Sequence, residues 1–280
     1  MDVGARRTVG EALMAPEVLL VVQARFAATR LAGKTLVPIA GRPMLAHVLE
    51  RALAVPGVDQ IVLATTVNGD DEPLVNLARA WDVPSVRGSV EDVLDRFYQA
   101  LRHFRADVVV RVTADCPLLD PEVSGRVVAE YLAHRGEVDY VSNVEPPTYP
   151  DGLDTEVLSA AALERAWREA RLPSDREHVT TYIRDRKHDF RIRNVEHEPN
   201  LSVYRWTVDE PRDLDFVRAV YDALAPGGEC VFGMEEVLEL LHARPELTAL
   251  NDGIRRNEGL DRSRQRDEAA TRLAEGGTHR

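Results

Sequence analysis

Val18-Leu-Leu-Val-Val22 runs without a break into Gln23-Ala-Arg-Phe-Ala-Ala-Thr-Arg-Leu-Ala-Gly-Lys34. Five consecutive apolar residues, three of them β-branched, predict a strand buried on both faces. The stretch that follows is cationic and rich in small residues. From Val18 to Leu49 there is no Asp or Glu, only Arg25, Arg30, Lys34 and Arg42, in a chain whose net charge is -12. A basic loop leaving the end of a buried strand, in an otherwise acidic protein, points to a site for a multiply charged anion. Its small residues let backbone N–H groups approach such a ligand. As a loop cation, Lys34 is expected to serve the anion and to contribute little to folding.

Strand-like and helix-like segments alternate outward from that point. β-Branched runs recur at Gln60–Ala64, Asp107–Val112 and Asp139–Ser142, separated by helical patterns at Pro43–Ala54, Glu72–Trp81, Glu91–Phe104 and Pro121–Ala133. Apolar strands alternating with helices predict an α/β fold with a mostly parallel sheet covered on both faces. The second half reads as an α+β continuation of that sheet. Strands are expected at Asp154–Leu158, Arg191–Val195 and Ser202–Val208. Helices are expected at Ala160–Ala170, Pro173–Arg184, Glu210–Leu224 and Met234–His242. No repeat or low-complexity linker divides the chain, so a single domain over residues 16–251 is expected. A loose extension at 1–15 and a charged, mobile tail at 252–280 would flank it.

At 280 residues, with 44% hydrophobic and 29% charged, the chain can bury a substantial core. A pI near 5.2 argues against a dedicated nucleic-acid binder or an anionic-membrane binder. Two cysteines, Cys116 and Cys230, make neither a disulfide framework nor a zinc motif, which favours the cytoplasm. No run approaches the roughly 20 apolar residues of a membrane span.

Familiar phosphate motifs fail here. Ala28 stands where a P-loop needs its first glycine, and Pro38, Gly41 and Pro43 follow Lys34 too closely for the helix a P-loop opens. No dinucleotide fingerprint is present. Acidic residues carry more information. Asp115 lies just past the carboxyl end of the 107–112 strand, where open α/β sheets bind ligands. It is a candidate Mg²⁺ ligand, or equally a turn or capping Asp. Asp209, in Trp206-Thr-Val-Asp-Glu-Pro211, could cap the next helix. If the two chain segments converge, Asp115 and Asp209 supply the hard oxygen pair that Mg²⁺ on a nucleotide requires.

Seven blocks in order resemble one family. They are Gln23-Ala-Arg…Gly-Lys34, Ala64-Thr-Thr66, Arg87-Gly-Ser-Val-Glu-Asp-Val-Leu-Asp-Arg96, Arg111-Val-Thr-Ala-Asp-Cys-Pro-Leu118, Tyr149-Pro-Asp-Gly-Leu-Asp-Thr-Glu156, Arg176-Glu-His-Val-Thr180 and Arg205-Trp-Thr-Val-Asp-Glu-Pro211. Over about residues 17–251 the chain resembles the spore-coat polysaccharide-synthesis cytidylyltransferases, relatives of the CMP-sialic acid and CMP-3-deoxy-manno-octulosonate synthetases. The resemblance implies a Rossmann-like nucleotidyltransferase fold of GT-A type. It also implies CTP and Mg²⁺, a small acidic sugar as acceptor, and a homodimer. By resemblance Arg25 and Lys34 hold the triphosphate, and Asp115 and Asp209 hold the metal. Gln23, Ala24, Thr113 and the Arg87, Gly88, Arg96 block line the nucleotide. Tyr149, Asp151, Asp154, Glu156, Glu177, His178 and Arg205 face the acceptor.

The loop departs from the family pattern Met-Gly-Ser-Thr-Arg-Leu-Pro-Gly-Lys at Ala27, Ala28 and Ala32, which lose a glycine, a hydroxyl and a proline. Every charged position is kept. Two rivals stand beside the transferase reading. A GT-A glycosyltransferase would consume a nucleotide sugar and needs less cationic charge in this loop. A catalytically inactive nucleotide-binding protein would have no need of both acids. Arg176, Arg184 and Arg205 could pair an acceptor carboxylate, and His178 or Asp154 could act as a general base.

Overall fold

The computed structural model describes residues 17–27, 30–226 and 232–276. The expected extension at 1–15, Ala28 of the loop and Cys230 therefore lie outside the described residues. The first half builds β1 (Val18–Gln23), a small hairpin of β2 (Pro38–Ile39) and β3 (Arg42–Pro43), α1 (Met44–Leu53), β4 (Gln60–Thr66), α2 (Glu72–Ala80), β5 (Ser85–Gly88), α3 (Val93–Phe104), β6 (Val108–Thr113) and α4 (Pro121–Ala133). The second half adds β7 (Tyr140–Ser142), β8 (Glu156–Ser159), α5 (Ala160–Glu169), α6 (Pro173–His178), α7 (Thr181–Arg184), β9 (Ile192–Asn194), α8 (Pro211–Leu224), α9 (Met234–Ala243) and α10 (Glu258–Gly276).

Seven strands form one sheet in the order β5-β4-β1-β6-β8-β7-β9. All pairings are parallel except those of β8, which runs against β6 and β7. β1 lies near the centre because its residues suit both faces. Val18, Leu20 and Val22 pack into the core under α1 and α4, while Leu19 and Val21 pack into the core under α3 and α5. The chain leaves β1 toward β4 and β5, then crosses back to β6 on the other side of β1. That reversal opens a crevice at the carboxyl ends of β1 and β6, the position where such sheets hold ligands. Gln23 and Thr113, the last residues of the two strands, are paired there.

Three expected elements differ. Ser202–Val208 is not a sheet strand. Its backbone bonds instead to the 148–151 loop, with Trp206 N–H donating to Asp151 O at 2.6 Å and Asp151 N–H to Tyr204 O at 2.9 Å. The Pro173–Arg184 helix is broken into α6 and α7 at Val179, which adopts φ +64. The break turns Thr180 inward, where its hydroxyl donates to buried Glu156 at 2.6 Å. Residues 258–276, expected as a mobile tail or a frayed helix, form α10 and bury Leu260, Ser263 and Asp267 against the fold. No helix among the described residues is long and apolar enough to cross a membrane.

Candidate active site

Lys34 sits at the mouth of the crevice. Gly33 precedes it with φ +67, a conformation glycine adopts without strain, and its N–H bonds back to Phe26 O at 3.3 Å. The turn swings the Lys34 side chain inward. Its ammonium donates to Asp115 Oδ2 at 3.0 Å, Asp209 Oδ1 at 2.9 Å and Val208 O at 2.9 Å. With only 13% of its side chain exposed, Lys34 is not the loosely held loop cation the sequence suggested. Burial works against its charge, but the two carboxylates outweigh burial and raise its pKa.

The two acids arrive by separate routes. Asp115 follows β6 and Asp209 ends the 202–208 segment. The backbones are joined directly, since Val208 N–H donates to Asp115 O at 2.8 Å and the Thr207 hydroxyl to the same oxygen at 3.2 Å. The capping alternatives are occupied by other residues. Asp120 caps α4, accepting from Glu122 N–H at 2.7 Å and Val123 N–H at 3.1 Å. At α8 the cap is Glu210, and Asp213 accepts from the N–H groups of Asp209 and Glu210 at 2.9 and 3.0 Å. Asp115 and Asp209 are thus left for another purpose. Burial would raise the Asp115 pKa, but the Lys34 charge and hydrogen bonds from Thr113 and Lys34 hold it down at about 2.

The pair passes a simple test for a divalent cation. A positive group already lies within 3.0 Å of one oxygen from each carboxylate. No cluster of three metal-ligating side chains occurs among the described residues. The pair would therefore hold an ion whose remaining ligands are phosphate oxygens and water, the arrangement usual for Mg²⁺ on a nucleotide. Asp209 also accepts a 2.9 Å ion pair from Arg30 and a 3.2 Å bond from Arg205. From sequence Arg30 was named only as one cation of the acid-free stretch, and Asp213 was not singled out. Arg30 looks like any other loop arginine, and Asp213 is one of several acids opening a helix.

On the β4–β5 side, Arg96 is the unusual group. It is 1% exposed, and its Nε and Nη1 have no partner among the described residues. Burial lowers its pKa to about 10, and the neighbouring Arg25, itself exposed, adds to the effect. Arg96 packs under Gly88, where an added Cβ would stand 2.8 Å from Arg96 Cγ. Arg87, expected with it, is spent on the chain: it donates to Thr66 O at 2.9 Å and Asn68 O at 2.8 Å and pairs with Glu72. Ala24 is buried with its N–H on Ala64 O, and Gln23 accepts from Arg111 at 3.2 Å. Cys116, beside Asp115, is no nucleophile. Burial pushes its thiol pKa up, and Asp115 pushes it further.

The residues expected at the acceptor divide into two sets. Asp151, Asp154 and Arg205 line the side of the crevice beyond Asp209. Gly152 makes this possible: at φ +111, an added Cβ would stand 2.7 Å from the Trp206–Thr207 backbone. Arg205 is a buried hub, donating to Asp213 Oδ1 at 2.9 Å and Asp151 Oδ2 at 3.0 Å. Burial and the neighbouring Asp154 charge raise the Asp151 pKa, and burial likewise raises that of Asp154. Tyr149 and Glu156 belong to the interior. Tyr149 is packed in the core, and Glu156 accepts from Tyr140 at 2.5 Å, from Thr180 and from Arg111. Glu177 and His178 lie under α10, both bonded to Ser263. Burial, aided by Arg111, Arg184 and Arg264, lowers the His178 pKa to about 4, so the ring is neutral near pH 7 and a weak base.

Comparison with known proteins gives the family. The family model described as cytidylyltransferase matches residues 19–224. The spore coat polysaccharide biosynthesis protein SpsF of Bacillus subtilis is 29% identical, over 82% of this chain and 96% of SpsF. A 3-deoxy-manno-octulosonate cytidylyltransferase of Anaeromyxobacter dehalogenans is 29% identical, over 74% of this chain and 98% of its own length. Among solved structures, a cytidylyltransferase from Leptospira borgpetersenii superposes with a TM-score of 0.79 at 27% identity, covering 86% of this chain and 99% of that one. With a match that spans β1 to the end of α8 and takes in both acids and Lys34, the chain belongs to the cytidylyltransferase family and is a nucleotidyltransferase.

Proposed function

We propose that the protein transfers CMP from CTP to a hydroxyl of a small acidic sugar or related acceptor. The hydroxyl oxygen forms a bond to the α-phosphorus, the bond to the bridging oxygen breaks, and pyrophosphate leaves. The observation that carries this reading is the Lys34 ammonium held between Asp115 and Asp209 at the switch point of the sheet. On this reading the two acids would hold the metal and the cation would meet the phosphates of a bound triphosphate. Names of relatives support the substrate class, since one acts on 3-deoxy-manno-octulosonate, a sugar acid, and another serves polysaccharide biosynthesis.

Each residue then has a physical task. Asp115, ionised over the whole working range, and Asp209 would hold Mg²⁺, which when bound neutralises phosphate charge and polarises the α-phosphorus. Lys34, displaced from the carboxylates, would turn to the phosphates and with Arg25 and Arg30 stabilise the departing pyrophosphate. Arg96, with two buried N–H groups unsatisfied among the described residues, has donors to offer a nucleotide carbonyl or phosphate oxygen. Asp151, Asp154 and Arg205 would face the acceptor.

The test is incubation with CTP, Mg²⁺ and a panel of sugar acids, reading pyrophosphate, beside calorimetry with CTP and ATP. Pyrophosphate released with at least one sugar acid, and tighter binding of CTP than ATP, is expected. Equal affinity for ATP removes the cytidylyl assignment. CTP binding without turnover on any sugar removes the acceptor assignment, and cleavage of a supplied nucleotide sugar would mark a glycosyltransferase.

A further inference from the structure

The family match ends at residue 224, yet the chain returns to the crevice after it. The segment from Asn251 through α10 touches nearly every residue expected at the acceptor. Arg256 donates to Asp154, lies 3.7 Å from Asp151 and donates to Tyr149 O at 3.4 Å. Ser263 donates to Glu177 at 2.8 Å and stands 3.2 Å from His178 Nε2, while Asn251 donates to Arg205 O at 2.9 Å. The segment is anchored independently of these contacts. Asp267 accepts from Ser174 N–H at 3.1 Å, and Leu260 is buried. Glu258 reaches the phosphate side, 3.7 Å from Arg30.

Resting on the acceptor reading above, we propose that residues 252–276 build one wall of the acceptor site and that Arg256 is its positioning residue. Two carboxylates three residues apart, Asp151 and Asp154, share a largely buried loop with Arg205 on one side and Arg256 on the other. Oriented carboxyl groups exchange hydrogen bonds with the hydroxyls of a polyhydroxylated acceptor. Arg256 supplies the cation nearest Asp154 and fixes where its carboxylate points. Arg205, committed to Asp213 and Asp209 as well, cannot replace it. The nucleotide side does not depend on Arg256, whose described partners all lie on the 149–154 loop.

The experiment uses the full chain carrying Arg256→Gln and, separately, Arg256→Lys. CTP affinity is measured by calorimetry, and transfer is measured with CTP, Mg²⁺ and 3-deoxy-manno-octulosonate, or the panel sugar that the parent protein uses best. For Arg256→Gln the sugar KM should rise by about 10–10²-fold, the scale of one lost charged hydrogen bond, with CTP affinity within about twofold. Arg256→Lys should recover part of the loss, and both variants should melt as single cooperative transitions. Unchanged sugar KM in Arg256→Gln, or equal loss of CTP and sugar binding, overturns the proposal. Faster turnover in either variant also overturns it, since the segment would then be a plug. A parent protein that binds CTP but transfers to no sugar removes the acceptor reading itself, and this inference with it.

Discussion

Two pairs of aspartates meet at Arg205, which donates to Asp209 at 3.2 Å and to Asp151 at 3.0 Å, and the proton affinity of Asp115 moves opposite to those of Asp151 and Asp154. At Asp115 and Asp209 the partner is Lys34, and at Asp151 and Asp154 it is Arg256. Asp115 is held at a pKa of about 2, whereas Asp151 and Asp154 are raised. Burial raises all three. What differs is what opposes it. Asp115 comes from a different part of the chain from Asp209, and a lysine and a hydroxyl both donate to it. Asp151 and Asp154 belong to one loop, where the Asp154 charge adds to the burial of Asp151. On the proposed reading the first pair would hold a metal ion and the second would exchange hydrogen bonds with the acceptor.

Asp115→Asn should break the comparison most severely. It keeps the shape and removes the charge, so turnover with Mg²⁺ should fall by about 10³-fold. Melting near the parent temperature in saturating CTP·Mg²⁺ would separate lost chemistry from lost fold. Asp209→Asn should behave similarly and require far more Mg²⁺. Parental turnover in either variant removes that acid from the metal site.

Lys34→Ala comes next, with kcat/KM lowered by about 10²–10³-fold. Its stability effect now differs from that of an ordinary loop cation. Without Lys34, Asp115 loses its described cation partner while Asp209 keeps Arg30 and Arg205, which should cost about 1–2 kcal/mol in metal-free buffer after allowing for their partial exposure. Divalent cation should restore this loss and stabilise the variant more than the parent. Thermal melts with and without Mg²⁺ check both statements. Equal melting of the two proteins in chelator would show that Lys34 does not hold the pair together.

The pH dependence of stability should differ between the pairs. Asp115, with a depressed folded pKa, contributes stability that is present above its unfolded pKa and lost as pH falls toward about 2. For Asp151 and Asp154 the sign is reversed. A raised folded pKa means the native state binds more protons above the unfolded value, so their contribution falls as pH rises through that window. Asp151→Asn should flatten the stability curve between about pH 4 and 7 by on the order of 1 kcal/mol. Denaturant midpoints across that range measure it, and a slope equal to the parent's would remove the inference. His178→Gln should do least. The imidazole is already neutral above about pH 4, so kcat/KM should stay within about threefold and its pH profile between about pH 5 and 8 unchanged. A lost limb in that range would make His178 the base.

What the sequence determined is what depends on near neighbours in the chain. Val18–Val22 is apolar at every position, so it had to be buried on both faces, and strands alternating with helices led to a mostly parallel sheet. The acid-free loop after β1 and the Asp after β6 then had to open at one end of that sheet. Longer-range partners were decided only by the tertiary structure. Arg87 reads like a ligand residue until Thr66 O and Asn68 O are seen to take its donors. Ser202–Val208 alternates like a strand, but the 148–151 loop claims its hydrogen bonds. Asp209 reads as a cap until Glu210 and Asp213 take that position. Arg256 looks like part of a charged tail because nothing within 100 residues of it in the chain reveals the buried aspartates it meets. Periodicity is read over a few residues, but the cost of an unpaired buried charge depends on groups brought together only by folding.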